Sequence, residues 1–273
     1  IISSVRNLVG IIHRLLKKVF VKLTIGFVNK LIGIDLMNKI PLFGTQSLNS
    51  ITNLKNLIKS IDYPVEILSI IINNENVNFF LDMLDYSKNK IDKELIEKVD
   101  ISFHPTNLGC PGSWNYHFTS YPQCDYFVKS DDDVVFHPGG LEKMVKGLEE
   151  CDIIFHDRSN TKYACFALNK KVLKEVGLFD TNHYPCNYED DDYEKRLRGV
   201  NVGMFHDAIT HHQPCGTSRN MSPEDHEKYL QKYIVTTEEY HKKKWNGEFG
   251  DPLEWSYNFD YRENKVLRFG DYK

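Results

Sequence analysis

The chain predicts an α/β fold, a mainly parallel sheet flanked by helices, and three observations carry that prediction. Strand-like and helix-like patterns alternate from Ile40 to Asp133. Val65 to Ile72 is a continuous apolar run ending at Asn73-Asn74-Glu75-Asn76, the pattern of a strand buried on both faces with a polar carboxyl end. Tyr126-Phe127-Val128 leads into Asp131-Asp132-Asp133, and open α/β sheets hold their ligands at such strand ends.

Taken in order, Ile40-Pro41-Leu42-Phe43 reads as a short first strand. Gly44 to Ser47 is expected to turn into a helix capped by Ser47, with Leu48, Ile51, Leu54, Leu57, Ile58 and Ile61 on one face. After the strand at Val65–Ile72, a helical stretch over 79–99 leads to a third strand near 100–104. The loop Asn107-Leu108-Gly109-Cys110-Pro111-Gly112-Ser113-Trp114-Asn115 follows, and its glycines let a backbone approach a ligand closely. The fourth strand carries the aspartates, and His137-Pro138-Gly139-Gly140 then opens a helix with Leu141, Met144, Val145 and Leu148 on one face. Apolar segments follow at 153–155 and 163–168, strands are expected at 202–205 and 208–210, and helices over 170–176, from the second acidic cluster (189–192) to Arg198, and within 223–244. The expected organisation is a basic amphipathic extension over 1–38, a catalytic-size domain over 39–248 and a tail over 249–273.

The first forty residues hold seven Lys or Arg against the single acid Asp35, with Val5, Leu8, Ile12, Leu15 and Val19 at helical spacing. Charges interrupt this segment too often for a bilayer span. It is expected to lie on an anionic membrane surface, or to pack on the domain or on a second copy of the chain. The first residue is Ile rather than Met, which leaves room for an upstream targeting or anchoring segment. A net charge of −4, with no Lys/Arg run interleaved with aromatics, argues against a nucleic-acid partner. Six cysteines show no CxxC pair and no zinc spacing, so reduced, mostly buried thiols and a cytoplasmic location are expected, with Cys186 to Cys215 the one pairing left open.

Packed carboxylates at a strand end repel one another until protonated or neutralised by a hard divalent cation. The second acidic cluster, Glu189-Asp190-Asp191-Asp192, is preceded by Gly177-Leu178-Phe179-Asp180 and followed by Arg196. Together with Asp207-Ala208-Ile209-Thr210-His211, these segments form four ordered motifs.

In that order and spacing, from about residue 38 to 247, the chain resembles the inverting glycosyltransferases of family 2, nucleotide-sugar enzymes with the GT-A fold. The resemblance implies a donor loop containing Asn107, Gly109, Gly112 and Asn115, and a metal motif in Asp131-Asp132-Asp133. It implies Mn²⁺ or Mg²⁺ held by Asp131 and Asp133 with His211, or with His212, because neighbouring strand residues face opposite ways. Asp131 and Asp132 would also touch the donor, and Asn73 stands where family members carry a base-binding aspartate. The resemblance makes Asp190 the catalytic base and Glu189 a wall of the acceptor pocket. Asp191, Asp192 and Arg196 have an alternative role as the capped, ion-paired first turns of a helix. Lys244-Trp245-Asn246-Gly247 is similar to a C-terminal aromatic and basic segment of some members, and Arg219 and Lys243 are further candidates for the leaving diphosphate. Trp114, His183, Tyr184 and Tyr188 are aromatics that could line a sugar pocket.

The expected activity is transfer of a hexosyl or deoxyhexosyl group from a nucleoside-diphosphate sugar to a glycan or glycoconjugate hydroxyl, with inversion. The competing readings are a nucleotidyltransferase and a non-catalytic carbohydrate-binding scaffold on the same fold.

Overall fold

The computed structural model describes residues 39–159, 161–213, 221–229 and 235–245. The basic extension over 1–38, the tail over 249–273, Arg219 and Cys215 lie outside them.

Strands β1 (Ile40–Ser47), β2 (Val65–Ile72), β3 (Ile96–Phe103) and β4 (Tyr126–Asp131) alternate with helices α1 (Ile51–Lys59), α2 (Val77–Asn89) and α3 (Gly109–Ser120). Beyond β4 come β5 (Val134–Phe136), α4 (Gly140–Gly147), β6 (Ile153–Phe155), a 3₁₀ turn at Lys162–Ala164, β7 (Cys165–Asn169) and α5 (Lys170–Glu175). Helix α6 (Glu189–Arg196), β8 (Val202–Met204), β9 (Thr210–His212), α7 (Pro223–Lys228) and α8 (Val235–Trp245) complete the described α-helices and strands.

Seven strands form one sheet in the order β3-β2-β1-β4-β7-β6-β8, and β5 pairs with β9 in a separate ribbon. Every pairing in the large sheet is parallel except those that β7 makes with β4 and β6. The fold is the mainly parallel, helix-flanked α/β architecture expected from the sequence. Period-2 alternation sorts the strand side chains onto two apolar layers. Phe43, Leu68, Ile70 and Ala167 meet α1, α2 and α4 on one face. Leu42, Ile67, Phe166 and Leu168 meet α3, α5 and α6 on the other.

Three local expectations change. The stretch expected as a loop over 107–115 is helical from Gly109 onward. Gly44 to Ser47 continues β1 instead of turning, because parallel pairing on both sides, to Ser69–Ile72 of β2 and to Lys129–Asp131 of β4, satisfies its backbone. The cap of α1 is therefore Ser50, whose Oγ accepts from the Asn53 N–H. The helix expected over 79–99 stops at Asn89, and Ile96 already pairs with Val65.

Register is what builds the site. Ser47 lies level with Ile72, Ile72 with Phe103, and Gln46 with Asp131, so the residues after β1, β2, β3 and β4 emerge along one edge of the sheet. The reversed β7 brings its first residue, Cys165, beside Ser130, which sets the 3₁₀ turn against the acidic end of β4. Among the described residues no helix is long and apolar enough to cross a membrane.

Candidate active site

The three aspartates have three different surroundings. Asp131 Oδ1 accepts from Gln46 Nε2 at 2.7 Å and from Lys129 Nζ at 2.5 Å. Lys129 is itself buried in β4, with its ammonium 4.1 Å from the Trp114 ring centre and 3.3 Å from the Tyr163 carbonyl oxygen. An ammonium so withdrawn from water is tolerable only with a charge partner and an aromatic face, and Asp131 and Trp114 supply both. Asp132 turns back to accept from Ser47 Oγ. Burial, opposed by that bond and reinforced by the flanking carboxylates, pushes Asp132 up to about 7. Asp133 Oδ1 lies 3.4 Å from His212 Nε2.

The ribbon explains the last contact. Val134 pairs with His212 and Val135 with His211, and the Gln213 N–H donates to the Asp133 carbonyl at 3.1 Å. Alternation sends the His212 ring toward Asp133 and leaves His211 exposed. His211 is thus off the site, and the histidine beside the acidic turn is His212. Burial would lower the His212 imidazole, but the Asp133 carboxylate outweighs it and raises its pKa.

The loop after β3 is clamped at both ends. Asn73 Nδ2 donates to Asn107 Oδ1 at 2.7 Å and Ser113 Oγ at 3.2 Å, while Asn73 Oδ1 accepts from the Leu108 N–H at 2.7 Å. Asn107 Oδ1 also accepts from the Gly109 N–H. Gly109 adopts φ +72°, and a Cβ there would lie 2.6 Å from the Pro185 carbonyl oxygen. The adjacent Cys110 N–H donates to that same oxygen at 2.6 Å. Asn73, Asn107 and Gly109 line the cavity, whereas Gly112 and Asn115 do not. The rotation of α3 turns Asn115 to the core, where it exchanges two hydrogen bonds with the Phe179 backbone. It anchors the Gly177–Asp180 segment to α3.

Two consecutive non-glycine residues in the left-handed region, Asn187 (φ 78°) and Tyr188 (φ 67°), start α6 abruptly. Glu189 and Asp190 consequently fall on the cavity wall at the helix N-terminus. Burial raises both carboxyls, Glu189 strongly, with nearby acidic groups adding to the effect. Asp190 Oδ1 accepts the Asp191 N–H at 2.9 Å.

Behind this helix lies a buried ionic centre. Asp180, His183 and Asp192 bring one potential ligating atom each within 4.8 Å of the others. The cation among them is the Lys244 ammonium, 2.7 Å from Asp180 Oδ2 and in contact with Asp192 Oδ1. Tyr240 Oη donates to Asp180, Trp245 Nε1 to Asp192, and Arg196 holds the other Asp192 oxygen at 2.8 Å. Arg196 further donates to the Val176 and Leu178 carbonyls. Burial alone would raise Asp180 and Asp192, but Lys244, joined by Arg196 at Asp192, holds both below the usual carboxylate range. His183 is buried in this centre, Tyr184 is 40 % exposed, and neither it nor Tyr188 lines the cavity. Lys243 is exposed.

The cavity itself measures about 320 Å³ and is bounded by β1, β2 and β4, the Asn107–Cys110 loop, the 3₁₀ turn, the 185–190 segment, His212, Met221 and Tyr229. Five of its lining residues carry a buried polar atom with no partner: Gln46 Oε1, Trp114 Nε1, Tyr163 Oη, Glu189 Oε2 and His212 Nδ1. Such atoms cost about 1–3 kcal/mol each when left unpaired, so their convergence marks a binding surface. Gln46 and Tyr163 among these five lie outside the sequence motifs, as does Lys129 behind Asp131. Lys129 had a signal, a charged residue inside an otherwise buried strand.

No protein-family model and no curated protein sequence matches the chain. Among solved structures it is similar to S. aureus TarS, at 13% identity over 78% of this chain and 46% of that one, with a TM-score of 0.50. The chain thus spans about half the length of that structure. A shorter TarS structure in complex with UDP matches at 15% identity over 72% of this chain and 65% of that one, TM-score 0.48. Another in complex with UDP-GlcNAc matches at 14% over 72% and 66%, also with TM-score 0.48. At 13% identity the likeness to the first of these concerns the fold alone, a mainly parallel α/β sheet flanked by helices.

Proposed function

We propose that the chain is a metal-dependent inverting glycosyltransferase that moves a sugar from a nucleoside-diphosphate donor to an acceptor hydroxyl. The observation that carries this reading is the convergence of Asp131–Asp133 and Glu189–Asp190 on one cavity walled by five unpartnered polar atoms. Asp133 and His212 offer one oxygen and one nitrogen donor at a common edge, a set that suits Mn²⁺ better than the oxygen-preferring Mg²⁺, with Asp131 fixed alongside by Lys129 and Gln46. When bound, such an ion supplies Lewis-acid stabilisation of the diphosphate leaving group.

The remaining roles belong to the chain. The Asn107–Cys110 loop presents backbone to the donor, and Asn73 is the brace that holds that loop in place. Asp190 takes the proton of the acceptor hydroxyl at Oδ2, its Oδ1 being oriented by the Asp191 N–H. Glu189, with Oε2 unpartnered, accepts a hydroxyl of the acceptor. One displacement at the anomeric carbon with a single base inverts configuration and needs no covalent intermediate.

The test is thermal stabilisation by UDP-, GDP-, dTDP- and CMP-sugars with and without Mn²⁺ or Mg²⁺, followed by product analysis with glycan acceptors. A metal-dependent shift with one nucleotide and release of the nucleoside diphosphate supports the reading. Pyrophosphate release from a nucleoside triphosphate replaces it with a nucleotidyltransferase, and sugar binding without turnover replaces it with a scaffold.

A further inference from the structure

Two thiols stand on the same cavity wall but on different chain segments. Cys110 follows Gly109 in the first turn of α3, and Cys186 follows Pro185 in the segment that leads into α6. The 2.6 Å bond from the Cys110 N–H to the Pro185 carbonyl locks the two backbones side by side. Both thiols are reduced and both residues are only partly buried, and the neighbouring Cys186 together with burial pushes the Cys110 thiol up. A hydrogen bond from the backbone of one cysteine to the residue before the other draws their Cα atoms toward the roughly 4.4–6.8 Å separation that a disulfide requires. Cys186 Sγ also contacts the Tyr229 hydroxyl at 3.2 Å and Asn187 Nδ2 at 3.7 Å.

We propose that Cys110 and Cys186 are a redox pair that closes into a reversible disulfide across the cavity wall. The oxidant is a small-molecule disulfide such as glutathione disulfide. The Cys186 thiolate attacks one of its sulfurs, the S–S bond breaks, and one glutathione leaves. The Cys110 thiol loses its proton to solvent and attacks Cys186 Sγ, and the second glutathione leaves as the new bond forms. Two protein thiols are oxidised and one disulfide is reduced to two thiols. The order follows from the site: the neighbouring Cys186 and burial push the Cys110 thiol up, which suits it to the second step rather than the first. The bridge ties the donor loop to the segment three residues before Glu189. Its effect on sugar transfer rests on the glycosyltransferase reading, whereas its formation does not.

The full chain is incubated with glutathione disulfide, alkylated, digested and weighed by mass spectrometry. The expected result is a Cys110–Cys186 cross-linked peptide that disappears with dithiothreitol, and accumulation of glutathione on Cys186 in C110S. Wild-type protein in which both cysteines remain alkylatable overturns the pair. In parallel, transfer by the oxidised wild type is expected to fall about tenfold and recover on reduction, while C110S/C186S does not respond to oxidant. Full transfer by a cross-linked enzyme overturns the effect on the site and leaves the cross-link standing. If neither form transfers sugar, the glycosyltransferase reading fails and the cross-link is still decided by mass.

Discussion

Lys244 Nζ lies 2.7 Å from Asp180 Oδ2 with both side chains fully withdrawn from solvent. The pair joins helix α8 to the segment that feeds α6, and Asp192, on the same ammonium, is two residues beyond the proposed base. Removing one partner of a buried pair leaves the other charge uncompensated. Lys244→Met is expected to cost about 3–5 kcal/mol, read as a lower urea midpoint.

The same centre sets an acid limit. Asp180 and Asp192 have depressed pKa values in the folded state, so between the folded and unfolded values the unfolded chain binds more protons. Their contribution is complete above the ordinary carboxylate value of about 3.8 and is lost as pH falls through the folded values. Stability of the wild type should therefore rise steeply from strongly acidic pH to about pH 5, and that rise should flatten in Lys244→Met. Urea titrations at a series of pH values measure both slopes.

Asp190 must be ionised to accept a proton, and burial raises its pKa. Transfer should fall as pH drops, with the acid limb above the usual aspartate range. Asp190→Asn should lower turnover by about 10²–10⁴ and still bind donor. Turnover and nucleotide-induced thermal shift, measured on the same protein, separate the two effects.

His211 and His212 make a matched comparison. His212→Ala should raise the Mn²⁺ concentration needed for half-maximal nucleotide stabilisation by about tenfold or more, as should Asp133→Ala, because each removes a proposed donor. His211→Ala, altering an exposed ring, should leave that titration within error. Equal effects from the two histidines would refute the assignment.

Gly109→Ala is predicted to damage binding more than folding. A Cβ at φ +72° and 2.6 Å from the Pro185 oxygen must push the donor loop off the 185–188 segment. Nucleotide affinity should drop at least about tenfold for a stability loss of about 1–3 kcal/mol, read by calorimetry and urea unfolding.

What could be read from the chain beforehand follows from range. Val65–Ile72 and Ile153–Phe155 announce themselves because burial on both faces demands unbroken apolar runs, and both have the expected bounds. β1 could not be bounded, since its last four residues, Gly44-Thr45-Gln46-Ser47, are held by neighbouring strands and not by their own propensity. Val134–Phe136 is too short for periodicity to show, yet its pairing decides between His211 and His212. Sequence order located the motif around Asn107, but only the rotation of α3 separates Gly109 and Cys110, which face the cavity, from Gly112 and Asn115, which do not. The Asp180–Lys244–Asp192 centre joins residues whose charges, taken singly, look like solvated surface.

The β5–β9 ribbon also gives the site a timetable. During synthesis the three aspartates emerge with β4, but His212 arrives only with β9, after α4, β6, β7, α5, α6 and β8 have left the ribosome. Until then Asp133 has no imidazole beside it, and a nascent chain ending before β9 carries the acidic turn without its second donor. A cation held by Asp133 and His212 would thus be retained only by molecules in which β9 has already paired with β5, so metal uptake would report that synthesis had passed β9 and that the ribbon had formed.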